Sequence, residues 1–182
     1  MFLYITNADT ELLTFRVVAD ALHEAGVEFR AISAASARWK QEAESAEIIC
    51  VRLLGGKNAF LEGLEELSEI AARSGSHLLC FSGESTPDPE LALYSTAPVG
   101  IVSQGFEYLI RGGTENYLNF VKFISDTCLF SGHGFLPPVT LDETGLYGVI
   151  ENPASRLSVA IIFIVLILFR GTPFSSRLWP KR

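Results

Sequence analysis

A few short clusters hold the residue types from which a site could be built. Gly55 and Gly56 follow an apolar run and precede a helical one. In an open α/β sheet that is the carboxyl end of a strand, where ligands gather. A tight turn alone accounts for such a pair, and the stretch matches neither a Walker A loop nor a GxGxxG fingerprint. Arg52 stands inside the apolar run just before them. A buried guanidinium needs a partner, so an internal ion pair is read ahead of an anion contact. Arg52, Gly55 and Gly56 are therefore weak candidates for ligand binding. Ser82-Gly83-Glu84 with Asp88 sets two carboxylates after a further strand end. Such a pair can do general acid–base work, although a capped loop is the plainer account. His23, His77 and His133 are scattered without ligand spacing. Cys50, Cys80 and Cys128 form no CxxC or Cys/His cluster of the zinc type. No catalytic residue and no metal ligand is assigned, and no cofactor is expected in this chain.

The elements that would position these residues alternate. Residues 2–6 read as a buried strand, followed by a turn at 7–10 and a helix at 11–25. That helix offers Leu12, Leu13, Phe15, Ala19 and Leu22 to a core and stops at Gly26. Residues 27–33 read as a second strand and 34–46 as a modest helix. Residues 47–54 give the strongest strand signal, nearly continuous and apolar, as expected where both sheet faces are covered. A helix at 60–73 follows, with Phe60, Leu64, Leu67 and Ala71 on one side and glutamates outside. Residues 77–82 form the next strand. This rhythm implies an α/β fold with a parallel, right-handed, doubly wound sheet. After residue 84 the pattern turns helical, with a short helix opening at Pro87-Asp88-Pro89 and longer ones at 98–111 and 114–130. Tyr117, Phe120, Val121, Ile124 and Cys128 share a face of the last.

With 182 residues the chain fits one domain, or one domain and an appendage. Its 48% apolar and 19% charged residues are a globular composition. A net charge of −7 argues against nucleic acid as a partner. Residues 170–182 hold four bases and no acid, so the remainder carries ten bases against 21 acids. The odd cysteine count and a start without a basic n-region or cleavage site point to a reducing, cytoplasmic setting.

Several landmarks in order carry a resemblance. Val51-Arg52-Leu53-Leu54-Gly55-Gly56 resembles the Arg-Leu-Leu-Gly-Gly stretch near the start of the cobaltochelatase large subunit of the CobN type. Ser82-Gly83-Glu84, Pro87-Asp88-Pro89-Glu90-Leu91 and Ser95-Thr96 are similar to that family's Gly-Asp, Pro-Asp-x-x-Leu and Ser-Thr series, with Glu84 where Asp is usual. Arg111-Gly112-Gly113-Thr114-Glu115-Asn116 is similar to its Gly-Gly-x-x-Asn helix start. Pro137-Pro138 and Gly145-Leu146-Tyr147 resemble the linker beyond it. The H subunit of magnesium chelatase is a more distant match. The resemblance runs from about residue 47 to residue 163. It implies an amino-terminal fragment, flavodoxin-like with additional C-terminal helices, of a protein that inserts cobalt into hydrogenobyrinic acid a,c-diamide in cobalamin synthesis. ATPase-type subunits would be the partners of the whole protein, using ATP, and the corrin precursor its substrate. The implied tetrapyrrole and metal residues lie in the body missing here, so the fragment is expected to be inactive alone.

The expected organisation is an α/β domain at 1–130, a linker at 131–155, and the first strand of a truncated next domain at 156–163. Residues 164–182 are read as a frameshifted apolar and basic tail. The family continues after such a strand with Tyr-Arg-Ser/Ala and then Leu-x-Gly-Asp/Asn-Thr. Codons for Ile164 to Ile167 can spell Tyr-Arg-Ser-Tyr when read one base earlier, and those of Arg170 to Pro173 allow Gly, Asp or Asn, then Thr. The run at 157–169 holds no charge but is short of the ~20 residues a spanning helix needs. Other readings are an H-like magnesium chelatase subunit of chlorophyll synthesis, an independent small α/β ligand-binding module, and a membrane-anchored protein using 157–169.

Overall fold

The computed structural model describes residues 1–141. The expectations placed on residues 142–182, including the strand at 156–163, the tail at 164–182 and the apolar run, lie outside the described residues. Four strands, β1 (Phe2–Thr6), β2 (Phe29–Ser33), β3 (Ile48–Leu53) and β4 (His77–Ser82), form one sheet in the order β2-β1-β3-β4. All three pairings are parallel. The alternation of strands and helices predicts the parallel, doubly wound sheet, and the strand order is the start of the flavodoxin-like one that the resemblance implies.

Helices α1 (Asp9–Glu24), α2 (Arg38–Ala43) and α3 (Leu61–Ser74) connect the strands. A short helix α4 (Pro89–Ala92) and two longer ones, α5 (Val99–Arg111) and α6 (Thr114–Leu129), follow β4. Period-2 alternation divides each strand between two cores. Phe2, Tyr4, Ile48, Cys50, Leu79 and Phe81 pack under α1, α5 and α6. Leu3, Ile5, Ile49, Val51, Leu78 and Cys80 pack under α2, α3 and α4. The inner strands are buried on both sides, which is why they read as unbroken apolar runs.

Three expectations shift. The second strand begins at Phe29 rather than residue 27, because Gly26 (φ 78°) ends α1 in a Schellman cap. Val27 N–H donates to Leu22 O at 2.9 Å and Gly26 N–H to His23 O at 2.9 Å, so Val27 belongs to the cap. The helix expected over 34–46 shrinks to α2, since Ala34 N–H extends the sheet's bonding to Thr6 O at 2.7 Å. On α1, Leu13 is 51% exposed, whereas Glu11, Thr14, Phe15, Val18 and Leu22 are buried. The inward face is rotated from the most apolar one because Glu11 has partners inside.

The outer edge of β4 is closed by a loop. Leu78 N–H donates to Thr96 Oγ1 at 2.9 Å, Cys80 N–H to Ser95 Oγ at 2.9 Å, and Thr96 N–H to Leu78 O at 2.8 Å. The Ser-Thr landmark thus supplies partners to strand groups that would otherwise lie bare. Residues 131–141, within the expected linker, carry no regular element and run along α6 as a strap. Asn116 pairs with both Val139 N–H and Val139 O at 2.8 Å. Asn119 Oδ1 accepts from Leu136 N–H at 2.8 Å, and Tyr108 donates to Leu136 O at 2.6 Å. The Gly112-Gly113 pair (φ 66° and 84°) turns the chain between α5 and α6, and Asn116 closes that turn on Gly112 O at 2.7 Å.

Candidate functional site

The carboxyl ends of β1, β3 and β4 border a cleft of about 150 Å³, lined among others by Thr6, Glu11, Arg52, Gly83 and Glu84. It lies where the strand order reverses between β1 and β3, the position at which α/β sheets take ligands. Arg52 points to the α1/α6 side, since β3 alternates and Cys50 shares that side. It is only 6% exposed and Glu11 only 2%. The two form an ion pair through Arg52 Nη1 and Glu11 Oε1. Arg52 also donates from Nε to Ser82 O at 3.1 Å and from Nη1 to Tyr117 Oη at 3.1 Å. Glu11 accepts from Thr6 at 2.8 Å, from Tyr4 at 3.2 Å and from Tyr117 at 3.2 Å. One carboxylate and one guanidinium therefore join β1, α1, β3, β4 and α6.

Burial is the largest single influence and works against the Arg52 charge, but Glu11, Tyr4 and Tyr117 together outweigh it and hold the guanidinium above its ordinary value. Burial, then Glu11, pushes the phenols of Tyr4 and Tyr117 up, against the pull of Arg52. Neither phenol nor the guanidinium is moved toward neutral pH, so these groups donate hydrogen bonds rather than exchange protons. Burial pushes the Cys80 thiol up to about 12 and Cys128 to about 11, away from the thiolate that nucleophilic chemistry needs.

The rim is a set of interlocked turns. Asn7 clamps Leu54, accepting from its N–H at 2.8 Å and donating to its O at 2.9 Å. Gly55 and Gly56 take φ 82° and 72°, and Gly55 N–H donates to Glu84 Oε1 at 3.3 Å. A Cβ on Gly83 would sit 2.8 Å from Leu54 N, so the approach of β4's end to β3's requires glycine there. Asp88 caps α4, accepting from Glu90 N–H at 2.8 Å and Leu91 N–H at 3.3 Å. Among the described residues no three His, Cys, Asp or Glu side chains group as metal ligands do.

Of the residues singled out from the sequence, Arg52, Gly55, Gly56, Glu84 and Asp88 do meet at one end of the sheet. The Arg52 guanidinium is engaged internally. Of its partners, Glu11 escaped the sequence reading, and Tyr117 was read only as part of the apolar face of α6. A glutamate in a helix's first turn reads as an ordinary response to the helix dipole. The available signal was the lone arginine in a strand, which demands an acid somewhere in the chain.

A flavodoxin-like parallel sheet closed at its strand ends by a buried ion pair defines the chain as an α/β domain of the doubly wound class. Its relatives are more particular. No protein-family model matches the chain. The aerobic cobaltochelatase subunit CobN of Pseudomonas aeruginosa is 30% identical over 102 residues, covering 56% of this chain and 8% of that protein. The same subunit from a Sinorhizobium species is 29% identical over 129 residues, 66% of this chain and 10% of its own length. The catalytic subunit of cobaltochelatase from Mycobacterium tuberculosis superimposes with a TM-score of 0.66 at 30% identity, over 84% of this chain and 12% of that one. The chain is thus a relative of the CobN-type cobaltochelatase subunit in both sequence and fold, and spans about a tenth of its relatives' length.

Proposed function

We propose that this chain is a structural α/β domain of a cobaltochelatase subunit of the CobN type. The whole protein would insert cobalt into hydrogenobyrinic acid a,c-diamide in cobalamin synthesis, with two smaller ATPase-type subunits hydrolysing ATP. The domain itself would hold its place in the larger subunit and insert no metal. The observation that carries this reading is the joint match in sequence and fold, 30% identity with a TM-score of 0.66 across 84% of the chain. The engaged Arg52–Glu11 pair at the strand ends supports the structural role.

Two measurements test it. The chain is mixed with ATPase partners, ATP, Co²⁺ and hydrogenobyrinic acid a,c-diamide, and cobalt corrinoid is followed by absorbance. None is expected, and its formation would overturn the claim of inactivity. In the Pseudomonas subunit, residues 1–141 of this chain then replace the matching stretch. Retained cobalt insertion is expected, whereas a folded but inactive chimaera would argue against equivalence. The relatives' names favour cobalt over the magnesium of an H-like subunit. The gene's nucleotide sequence tests the proposed reading-frame shift after Phe163, which requires an upstream frame encoding the family's continuation.

A further inference from the structure

Among the described residues eleven large apolar side chains stand exposed, and five of them fall within 129–139: Leu129, Phe130, Phe135, Leu136 and Val139. Phe130 is 90% exposed and Leu136 58%. Phe130 also holds a left-handed backbone (φ 55°), a conformation in which a bulky non-glycine residue is an outlier. The backbone beneath these side chains is already bonded. Asp126 accepts from Ser131 Oγ–H at 2.7 Å, His133 N–H at 2.7 Å and Gly134 N–H at 2.8 Å. Asn116 and Asn119 hold the strap at Val139 and Leu136. The result is an ordered ridge with apolar side chains outward, the preorganisation that makes docking inexpensive in entropy.

We propose that this ridge is the docking surface for the apolar run 157–169 of the same chain. Charge permits it on both sides: no Asp, Glu, Lys or Arg occurs between Asp126 and Asp142, and none within 157–169. Distance permits it as well. The 15 residues at 142–156 can span up to about 50 Å, against a radius of gyration of about 14 Å for a domain of this size. Tethering gives the run an effective concentration on the order of millimolar, well above that of a second copy in dilute solution. The contact would fix whatever follows the run against this domain, and it stands independently of the chelatase reading.

A thiol reporter on the ridge tests this in the full chain. Leu136→Cys is labelled with a maleimide, and the same variant carrying Ile161→Asp and Ile162→Asp is labelled beside it. The expected result is labelling at least tenfold slower in the first than in the second, unchanged on dilution. Equal rates would overturn the proposal, and protection lost on dilution would assign the ridge to a second copy instead. Val139→Cys provides a second reporter if the first variant does not fold. Continued slow labelling of buried Cys50 and Cys80 verifies that the aspartates act on the contact and not on the fold.

Discussion

Two carboxylates in this domain hold separate pieces of chain together, and they do so under opposite conditions. Glu11 sits at the strand ends with a buried guanidinium and three hydroxyl donors. Asp126 sits near the end of α6, half-buried, with one hydroxyl and two backbone amides. The first joins elements that already share a core, and its cost of desolvation is offset only while its partner is present. The second holds a strap that brings little core of its own, and solvent remains available to every group if it lets go. The same functional group is thus an obligate part of the fold in one place and a releasable clasp in the other.

The difference is sharpest on removal. Glu11→Ala leaves Arg52 charged, buried and unpaired, and is expected to destabilise by about 3–5 kcal/mol, read as a lower urea midpoint. A second change, Arg52→Met, should recover much of that loss, because it removes the uncompensated charge. If Glu11→Ala alone proves nearly neutral, the pair is not an obligate part of the fold. Asn116→Ala lies between the two cases. It removes a buried amide with three backbone partners, at Gly112 and Val139. A loss of about 1–3 kcal/mol is expected, with faster hydrogen exchange at Val139 N–H.

The smallest effect is the clasp itself, read through pH. Burial opposes the Asp126 charge, but the Ser131 hydroxyl and the His133 and Gly134 amides outweigh it and lower its pKa below the ordinary 3.8. A carboxyl lowered in the folded state contributes fully above its unfolded value and loses that contribution as pH falls through the folded one. The amides of His133 and Gly134 should therefore gain exchange, beyond the intrinsic pH trend, only below about pH 4. Asp126→Asn should abolish that step. A strap that stays closed under acid would show that Asn116 and Asn119 suffice without the carboxylate.

Much of the fold was legible because its signals are local. β4 is found at the expected 77–82, and the buried face of α6 includes Tyr117, Phe120, Val121 and Ile124 as expected. Apolar runs bounded by glycines reveal doubly covered strands without reference to anything distant. The strand-end cluster was legible only by half. Arg52 announced itself as a charge in an apolar strand, but Glu11 lies 41 residues from it and Tyr117 lies 106 residues from Glu11. Nothing in helix periodicity marks a glutamate as buried, so Leu13 was expected inside where Glu11 goes. The landmarks behind the resemblance found physical reasons: Gly83 for close approach, Asp88 for capping, Ser95 and Thr96 for the β4 edge, Asn116 for the turn and the strap.

The loop over β4 also gives the sheet a direction of growth. In the flavodoxin order a fifth strand would lie beside β4, and there two hydroxyl side chains already occupy the backbone groups it would use. Parallel pairing with β1 turns the N–H and C=O groups of alternate β2 residues outward, at Phe29 and Ala31. Among the described residues, the open template for any strand added by a neighbouring domain, or by an unwanted second molecule, lies on the β2 side. Within the described residues sheet extension is thus one-sided, decided by a serine and a threonine at the opposite margin.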